Sequence, residues 1–144
     1  MKANELMIGD YVKYQGCIYI VEEISAKGWV HLIHPETKVR VNMTSDYIID
    51  LLEPISLTPE IFEKNGFAIK KKWAQKGNFG DNPLIMWHYD DDIITRDFKH
   101  ELEIHQNDTG KVHVSVQCDY FHELQHAFRL CGLDELADNL KVEE

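Results

Sequence analysis

The sequence predicts a mainly β, α+β protein in two parts, an N-terminal small β-barrel and a following α+β domain. Short runs in which apolar and polar residues alternate recur between turn signals, which is typical of antiparallel strands. Helical patterns are confined to a short segment after residue 57 and to the residues after 118. A length of 144 residues suits one compact domain or two very small ones. We therefore divide the chain into residues 1–57 and 58–144.

Residues 1–57 contain five closely spaced strand candidates. Glycine-containing turns separate the first three, and His34-Pro35-Glu36-Thr37 separates the third from the fourth. In the fourth, Val39, Val41 and Met43 alternate with polar residues, which predicts a half-buried strand. Because closure protects strand edges, five short strands in about 55 residues predict an SH3-like small β-barrel. The candidates are Tyr11–Tyr14, Cys17–Val21, Trp29–Ile33, Val39–Met43 and Ile48–Leu52.

Residues 58–144 predict an antiparallel sheet with a short helix before it. Thr58-Pro59-Glu60 has the composition of a helix start, and Asn65-Gly66 ends that helix after about two turns. The clearest hairpin joins residues 101–105 to residues 111–118, where apolar and polar residues alternate on both sides of a turn. Further strand candidates are Phe67–Ala74, Leu84–Tyr89 and Ile93–Phe98.

A C-terminal helix is predicted over residues 119–131, with Asp119 as its N-cap and Gly132 as its stop. One face carries its apolar residues, Phe121, Leu124, Phe128 and Cys131. We expect that face to pack against the sheet of the second part, and residues 134–140 to add a short helix.

Charge and apolar content restrict the partner and the compartment. A net charge of −10 disfavours nucleic acid, because phosphate binding requires concentrated Lys and Arg. The cluster Lys70-Lys71-Lys72 with Lys76 is predicted to be a solvated strand face. The sequence shows neither an apolar run of about 18 residues nor a signal-peptide pattern, so we expect a cytoplasmic protein without a membrane partner. Without a CxxC pairing, the cysteines are predicted to be reduced core thiols; they are Cys17, Cys118 and Cys131.

The segment His122-Glu123-Leu124-Gln125-His126 has the HExxH pattern of many zinc metallopeptidases. Histidines at i and i+4 lie on one face of a helix, so both imidazoles can bind one zinc ion. The intervening glutamate then acts as general base on the zinc-bound water. On this interpretation Glu123 is catalytic, zinc is the cofactor, and His122 and His126 are metal ligands.

Three features weigh against a zinc site. Arg129 and Gly132 stand where the extended form of the motif has glycine and histidine. Catalytic zinc needs a third protein ligand, and Glu135 is the best candidate in the residues that remain. A helical wheel puts His122 and His126 opposite the apolar stripe, which predicts that they face solvent. We therefore predict no catalytic, metal or cofactor site. The alternative is a zinc ion held by His122, His126 and Glu135.

Several segments together resemble a family of uncharacterised proteins from Bacteroides-type gut bacteria, often associated with prophage or other mobile elements. The segments are Ala3–Leu6, Gly9–Val12, Pro54–Phe67 and Tyr120–His126. The resemblance covers most of the chain and implies no activity, so it transfers no catalytic residues. Members of the family often have Tyr-Val-His-Gln-Leu-Gln-Asn in the last helix. Glu123 and His126 depart from that pattern.

These observations favour a non-enzymatic protein-interaction or accessory module of a mobile-element-type protein, with the barrel or an exposed sheet contacting a protein partner. The alternative is a small zinc metallopeptidase that uses residues 122–126. Nucleic-acid binding through the barrel and residues 70–76 is opposed by the charge. The deciding observation is whether His122 and His126 converge on a carboxylate or histidine from elsewhere in the chain.

Overall fold

The computed structural model describes residues 5–25, 29–43, 51–77, 83–90, 99–106 and 112–142. Within these ranges the chain forms two antiparallel sheets and a few short helices, which confirms the predicted mainly β, α+β character. The chain divides into two compact units. The first comprises Met1–Ser56 and Tyr120–Leu140, and the second comprises Leu57–Asp119 and Lys141–Glu144. None of the helices in the described ranges is long and apolar enough to cross a membrane.

The first unit contains an antiparallel sheet in which consecutive strands are neighbours. Its apolar positions alternate, so Val12, Val21 and Leu32 are fully buried while their neighbours in sequence are partly exposed. A change of register between Val21 and Glu23 marks a β-bulge, which increases the local twist of the sheet. The strands are β1 (Tyr11–Tyr14), β2 (Cys17–Ile24), β3 (Val30–Ile33) and β4 (Arg40–Met43).

An additional residue extends this sheet beyond β1. Glu53 exchanges two backbone hydrogen bonds with Lys13, at 2.9 and 2.8 Å. Among the described residues no strand pairing closes the sheet, so the SH3-like barrel stays a prediction. The last predicted strand, Ile48–Leu52, lies mostly outside the described residues.

The second unit begins with α1 (Pro59–Lys64), whose start the sequence predicted. The Thr58 side chain accepts a hydrogen bond from the Ile61 backbone N–H, and Gly66 has a φ of 84° just after the helix ends. An antiparallel sheet follows, again with consecutive strands as neighbours. Its strands are β5 (Ala68–Ile69), β6 (Trp73–Lys76), β7 (Leu84–His88), β8 (Glu101–Gln106) and β9 (Val112–Gln117).

One strand predicted for this unit is wrong, and another falls outside the described residues. Phe67–Ala74 is not one strand but the hairpin of β5 and β6, so Lys70-Lys71-Lys72 lies at its turn rather than on a strand face. The Lys70 N–H donates to the Trp73 carbonyl at 2.7 Å, which closes that turn. Three consecutive lysines repel one another less where the chain reverses into solvent. The predicted strand Ile93–Phe98 lies outside the described residues.

Stacked rings form the centre of the second unit. Trp87 lies between Phe62 and His100, with ring centroids 4.6 and 5.2 Å apart and interplanar angles of 18° and 9°. Its indole N–H donates to the Cys118 carbonyl at 2.9 Å, so the buried polar atom of this ring is satisfied. The large rings therefore anchor α1 to the sheet, because Phe62 is fully buried.

The helix near the C-terminus, α2 (Phe121–Leu130), starts later than predicted and belongs to the other unit. Asp119 is not its N-cap, because the Asp119 carboxylate contacts the His100 ring at 2.7 Å and the Gln117 amide at 2.9 Å. The sequence pattern assigned this helix to residues 58–144, whereas its packing assigns it to the first unit. The Phe121 N–H donates to the Ile55 carbonyl at 2.8 Å. Such long-range hydrogen bonds leave no periodicity in the sequence.

Two smaller features complete the first unit. After Gly132, which has a φ of 75°, the short helix α3 (Asp134–Asp138) follows α2. No disulfide joins the three cysteines, which all lie in the described ranges, and only Cys118 is buried. Cys17 is exposed because it opens β2 directly after the Gln15-Gly16 turn, so its predicted place in the core is wrong.

The two leucines of α2 give a matched test of which helix positions stabilise the fold. Leu124 is 1% exposed and Leu130 is 87% exposed. We expect Leu124→Ala to lower the free energy of unfolding by about 2–5 kcal/mol, because it removes buried volume. Leu130→Ala should change it by no more than about 0.5 kcal/mol. Urea denaturation followed by circular dichroism measures both, and equal midpoints for the two variants would contradict the burial of α2.

Candidate functional site

A tight turn ahead of β1 provides one side of the candidate site. The Asp10 N–H donates to the Met7 carbonyl at 3.1 Å, and the Met7 N–H donates to the Asp10 carboxylate at 2.7 Å. Gly9 has a φ of 95°, which favours glycine because it has no Cβ. Hydrogen bonds of Gly9 and Asp10 to Val21 fix the turn to β2, at 2.7 and 2.8 Å. The turn is therefore hydrogen-bonded to the sheet.

The Asp10 carboxylate connects this turn to α2. Asp10 is fully buried, and its Oδ2 lies 2.6 Å from Nε2 of His126. Its Oδ1 accepts a hydrogen bond from Nη1 of Arg129 at 3.0 Å. A buried charge is tolerated only when it is paired and hydrogen-bonded, and here both oxygens have cationic or polar donors. The pairing fixes the position of α2 against the turn.

Gln125 adds a second connection between the helix and the turn. Its side chain is 1% exposed; Nε2 donates to the Gly9 carbonyl and Oε1 accepts from the Tyr11 N–H, both at 3.0 Å. The amide thus continues the backbone hydrogen bonding of the segment that leads into β1. A Cβ at Gly9 would lie 2.8 Å from Nη2 of Arg129, so any other residue would push the guanidinium from its present position.

Glu123 has a structural position at the start of α2. Its Oε1 accepts a hydrogen bond from the Tyr120 N–H at 3.0 Å, which satisfies a backbone donor at the N-terminus of the helix. A carboxylate at this end of a helix is also favoured by the helix dipole. The residue that would be the general base in a zinc peptidase therefore supports the helix start.

His122 is buried within an aromatic group. Its ring is parallel to that of Tyr120, with centroids 6.0 Å apart and an interplanar angle of 7°. The edge of His126 meets it at 5.5 Å and 76°. The Nδ1 atom of His122 is buried and has no hydrogen-bond partner among the described residues. Burial lowers the pKa of His122, which favours its neutral form near pH 7.

An open pocket lies between the chain before the turn and the first half of α2. Its volume is about 560 Å³, which is within the usual range for ligand sites. Among the described residues its lining combines apolar side chains, aromatic rings and carboxylates, without a Lys or Arg. The lining residues are Glu5, Leu6, Met7, Pro54, Tyr120, His122, Glu123 and His126.

Comparisons of the chain with protein-family models, curated proteins and solved structures found no match.

The predicted site residues therefore lie in positions that the sequence pattern did not indicate. His122 is only 7% exposed and His126 contacts Asp10, so the prediction that both face solvent is wrong. The turn before β1 covers that face of the helix. Glu135 is exposed on α3 and does not line the pocket. In the part of the chain that the structure describes, no three His, Cys, Asp or Glu side chains are arranged to hold a metal ion.

Sequence reasoning missed the partners of the motif. Asp10, Gln125 and Arg129 carry the hydrogen bonds between α2 and the turn. One signal was available: His122, Gln125 and Arg129 fall at i, i+3 and i+7, so they form a polar stripe as regular as the apolar one. A helix whose polar side chains form a regular stripe can be buried on two faces, because the stripe can hydrogen-bond to another segment of the chain. The partner Asp10 leaves no local signal beyond its position after Gly9.

Removal of the Asp10 charge should destabilise the first unit strongly. We expect Asp10→Asn to lower the free energy of unfolding by about 3–5 kcal/mol, because Arg129 would remain largely buried without its anion. Asp138 is the matched control, since it lies 4.0 Å from the same arginine but is 71% exposed. Asp138→Asn should cost at most about 1 kcal/mol. Urea titration of both variants measures the difference, and a small effect at Asp10 would show that the pairing is not needed.

The buried His122 should make stability depend on pH. Its pKa in the folded protein lies below that of the unfolded chain, so the unfolded chain binds the proton first. The free energy of unfolding should therefore fall as pH decreases from about 7 through the ordinary histidine pKa of about 6.5. His122→Phe cannot be protonated and should flatten this decrease. Urea titrations of both proteins at several pH values provide the measurement; parallel curves would exclude a contribution from His122.

Proposed function

We propose that this protein is a non-enzymatic protein-interaction module whose binding site is the pocket beside α2. The observation that carries the proposal is that side chains of the HExxH segment are hydrogen-bonded to other residues of the fold. His126 is paired with the buried Asp10, and Glu123 accepts a hydrogen bond at the helix N-terminus. These residues fix the walls of the pocket instead of presenting a metal-binding face to it. The resemblance to mobile-element proteins extends the proposal to an accessory role in such an element.

The composition of the pocket supports recognition of another protein. Met7 and Tyr120 are 41% and 37% exposed, although both are large apolar or aromatic side chains. Tyrosine and methionine are enriched where proteins meet partners. Tyrosine supplies contact area at low entropic cost, and the flexible methionine side chain adapts to irregular surfaces. The walls are preorganised by buried hydrogen bonds, which reduces the entropy lost on binding.

One observation favours the zinc peptidase as a second candidate. A carboxylate bonded to a metal-ligating histidine is a common support for metal sites, and Asp10 contacts His126 in this way. Against it, Asp10 holds Nε2 of His126, so only Nδ1 of that ring would be left for zinc. Arg129 forms an ion pair with the same carboxylate, so its positive charge would repel a divalent cation bound beside Asp10. The residues present therefore fit the pairing better than they fit zinc.

A peptide-display selection against the full chain tests the proposal. Selected peptides should bind with micromolar dissociation constants in calorimetry, and Tyr120→Ala should weaken them by about tenfold through the loss of an interface aromatic residue. Trp29→Ala is the matched control, since Trp29 is 39% exposed in the same unit but does not line the pocket. It should leave the affinity unchanged.

Two results would contradict the interaction module. In the first, Tyr120→Ala has no effect on any selected peptide. In the second, elemental analysis after dialysis against a mild chelator finds one zinc per chain, which is lost on His122→Ala or His126→Ala while the zinc-loaded protein cleaves peptides. The second result would favour the peptidase.

A further inference from the structure

The last strand, β9, is an edge of the sheet in the second unit. The strand order of this sheet places β5 at one edge and β9 at the other. On one side β9 pairs with β8, and among the described residues no further backbone hydrogen bond involves residues 114–117. Unpaired backbone N–H and C=O groups at a sheet edge are a template on which another strand can pair. β9 therefore offers a row of backbone donors and acceptors.

The other sheet edges in the described ranges are short, charged or covered. β5 has two residues and is followed at once by Lys70-Lys71-Lys72. The edge of β1 is covered at Lys13, which exchanges two backbone hydrogen bonds with Glu53, and β4 carries Arg40. Short length, charged side chains and covering segments are the devices that keep edge strands from pairing. β9 differs from these edges, because it has six residues and its sequence, Val-His-Val-Ser-Val-Gln, contains no Asp, Glu, Lys, Arg or Pro.

A row of apolar side chains runs from the buried part of this sheet to the β9 edge. Val116 lies opposite Leu102, and Val114 lies opposite Ile104. The two β8 residues are fully buried, whereas Val114 is half-buried and Val116 is 39% exposed. Side chains that lie opposite one another on adjacent strands pack together. A strand added beyond β9 would therefore cover Val116 and extend the apolar row.

The charge of the chain restricts which strand can be added. Two copies with a net charge of −10 each repel one another, so they associate most readily along a surface that brings no like charges together. β9 meets this condition, because it contains no formally charged residue. The acidic residues Glu101 and Glu103 lie on β8, one strand away from the edge.

The β9 sequence is also complementary to itself. When two β9 strands pair antiparallel about a two-fold axis at Ser115, Val114 of one copy lies opposite Val116 of the other, and serine lies opposite serine. Apolar residues then meet apolar residues on one face of the joined sheets, and polar residues meet on the other face. A two-fold interface needs this property, since the same surface contributes from both copies.

From the open edge, the apolar row and the uncharged, self-complementary sequence we propose that two copies of this chain dimerise through β9. The two strands pair antiparallel, so that both five-stranded sheets become one continuous sheet. Backbone hydrogen bonds and contacts between Val114 and Val116 hold the copies together. The contact is small, so the dissociation constant is on the order of 10 µM. This inference lies in the second unit and does not depend on the pocket beside α2.

Sedimentation velocity of the full chain from about 1 µM to about 1 mM measures the association. We expect the average mass to rise from that of one chain to that of two chains as the concentration increases. Added salt should strengthen the dimer, because it screens the repulsion between two copies that each carry a net charge of −10. A chain that stays monomeric over the whole range overturns the proposal.

Amide hydrogen exchange followed by NMR locates the contact without any substitution. The backbone N–H groups of residues 114–117 that point away from β8 should exchange rapidly in the monomer and become protected as the dimer forms. Those of β5, at the opposite edge of the same sheet, should not change with concentration. A dimer whose formation protects another segment and leaves β9 unchanged overturns the proposal.

A single charge placed on the edge should prevent the pairing. We expect Val116→Lys to weaken the dimer by about tenfold or more, because each copy then brings a lysine to the contact and like charges on paired strands repel. Val39→Lys is the matched control, since Val39 is 58% exposed and lies in the first unit, and it should leave the dissociation constant unchanged. Urea denaturation checks that both variants are folded. A folded Val116→Lys protein that dimerises as tightly as the unaltered chain contradicts the inference.

A strand from a different protein is the other possible occupant of this edge. The peptide acetyl-Thr-Val-Thr-Val-Thr-Val-amide serves as the probe, in the same hydrogen-exchange measurement. If residues 114–117 gain protection only when the peptide is added, and the chain alone stays monomeric at about 1 mM, then β9 binds a foreign strand and the dimer is wrong.

Discussion

The buried carboxylate of Asp10 is the constraint on which the first unit depends. An ionised carboxylate cannot remain away from water unless donors surround it, because its desolvation costs several kcal/mol. Here the donors come from a turn near the start of the chain and from a helix near its end. Each donor group has to be within hydrogen-bond distance at the same time, so the carboxylate determines the position and rotation of α2. Gln125 then satisfies backbone groups of the turn, and Gly9 adopts a φ of 95°, a conformation that favours glycine.

In this arrangement the side chains of the HExxH segment make hydrogen bonds within the fold. In a zinc site the histidines of HExxH share one cation, and the glutamate faces the bound water. In this chain His126 is paired with an anion, and Glu123 accepts a backbone hydrogen bond. Arg129 occupies the position where the extended motif has glycine, and its guanidinium supplies the positive charge at this site. Arg129 and His126 thus share one buried carboxylate.

Local patterns predicted most of the elements but not the site. The turn signal after Tyr14 predicted β1, and alternation predicted β4 and the hairpin of β8 and β9. The Thr58-Pro59 start and the Asn65-Gly66 end predicted α1. The helical wheel failed at α2, because it counts apolar side chains and treats every polar stripe as solvated. The hydrogen bonds of His126 and Gln125 join residues more than a hundred positions apart. No local rule places Asp10 opposite them. Local patterns also failed to separate β5 from β6, because the turn at Lys70 interrupts an otherwise continuous strand pattern.

The division of the chain has a consequence for its synthesis. The first unit is assembled from Met1–Ser56 and Tyr120–Leu140, and most of the second unit lies between these segments. On the ribosome the N-terminal sheet therefore emerges long before the helix that completes it, and Asp10 stays without His126 and Arg129 in the meantime. The intervening residues 57–119 can pair their strands while the first unit is still incomplete. During this interval an open sheet edge and an uncovered apolar surface are exposed to other chains. The rate of translation and the supply of chaperones thus bear more heavily on residues 1–56 than on the rest of the protein.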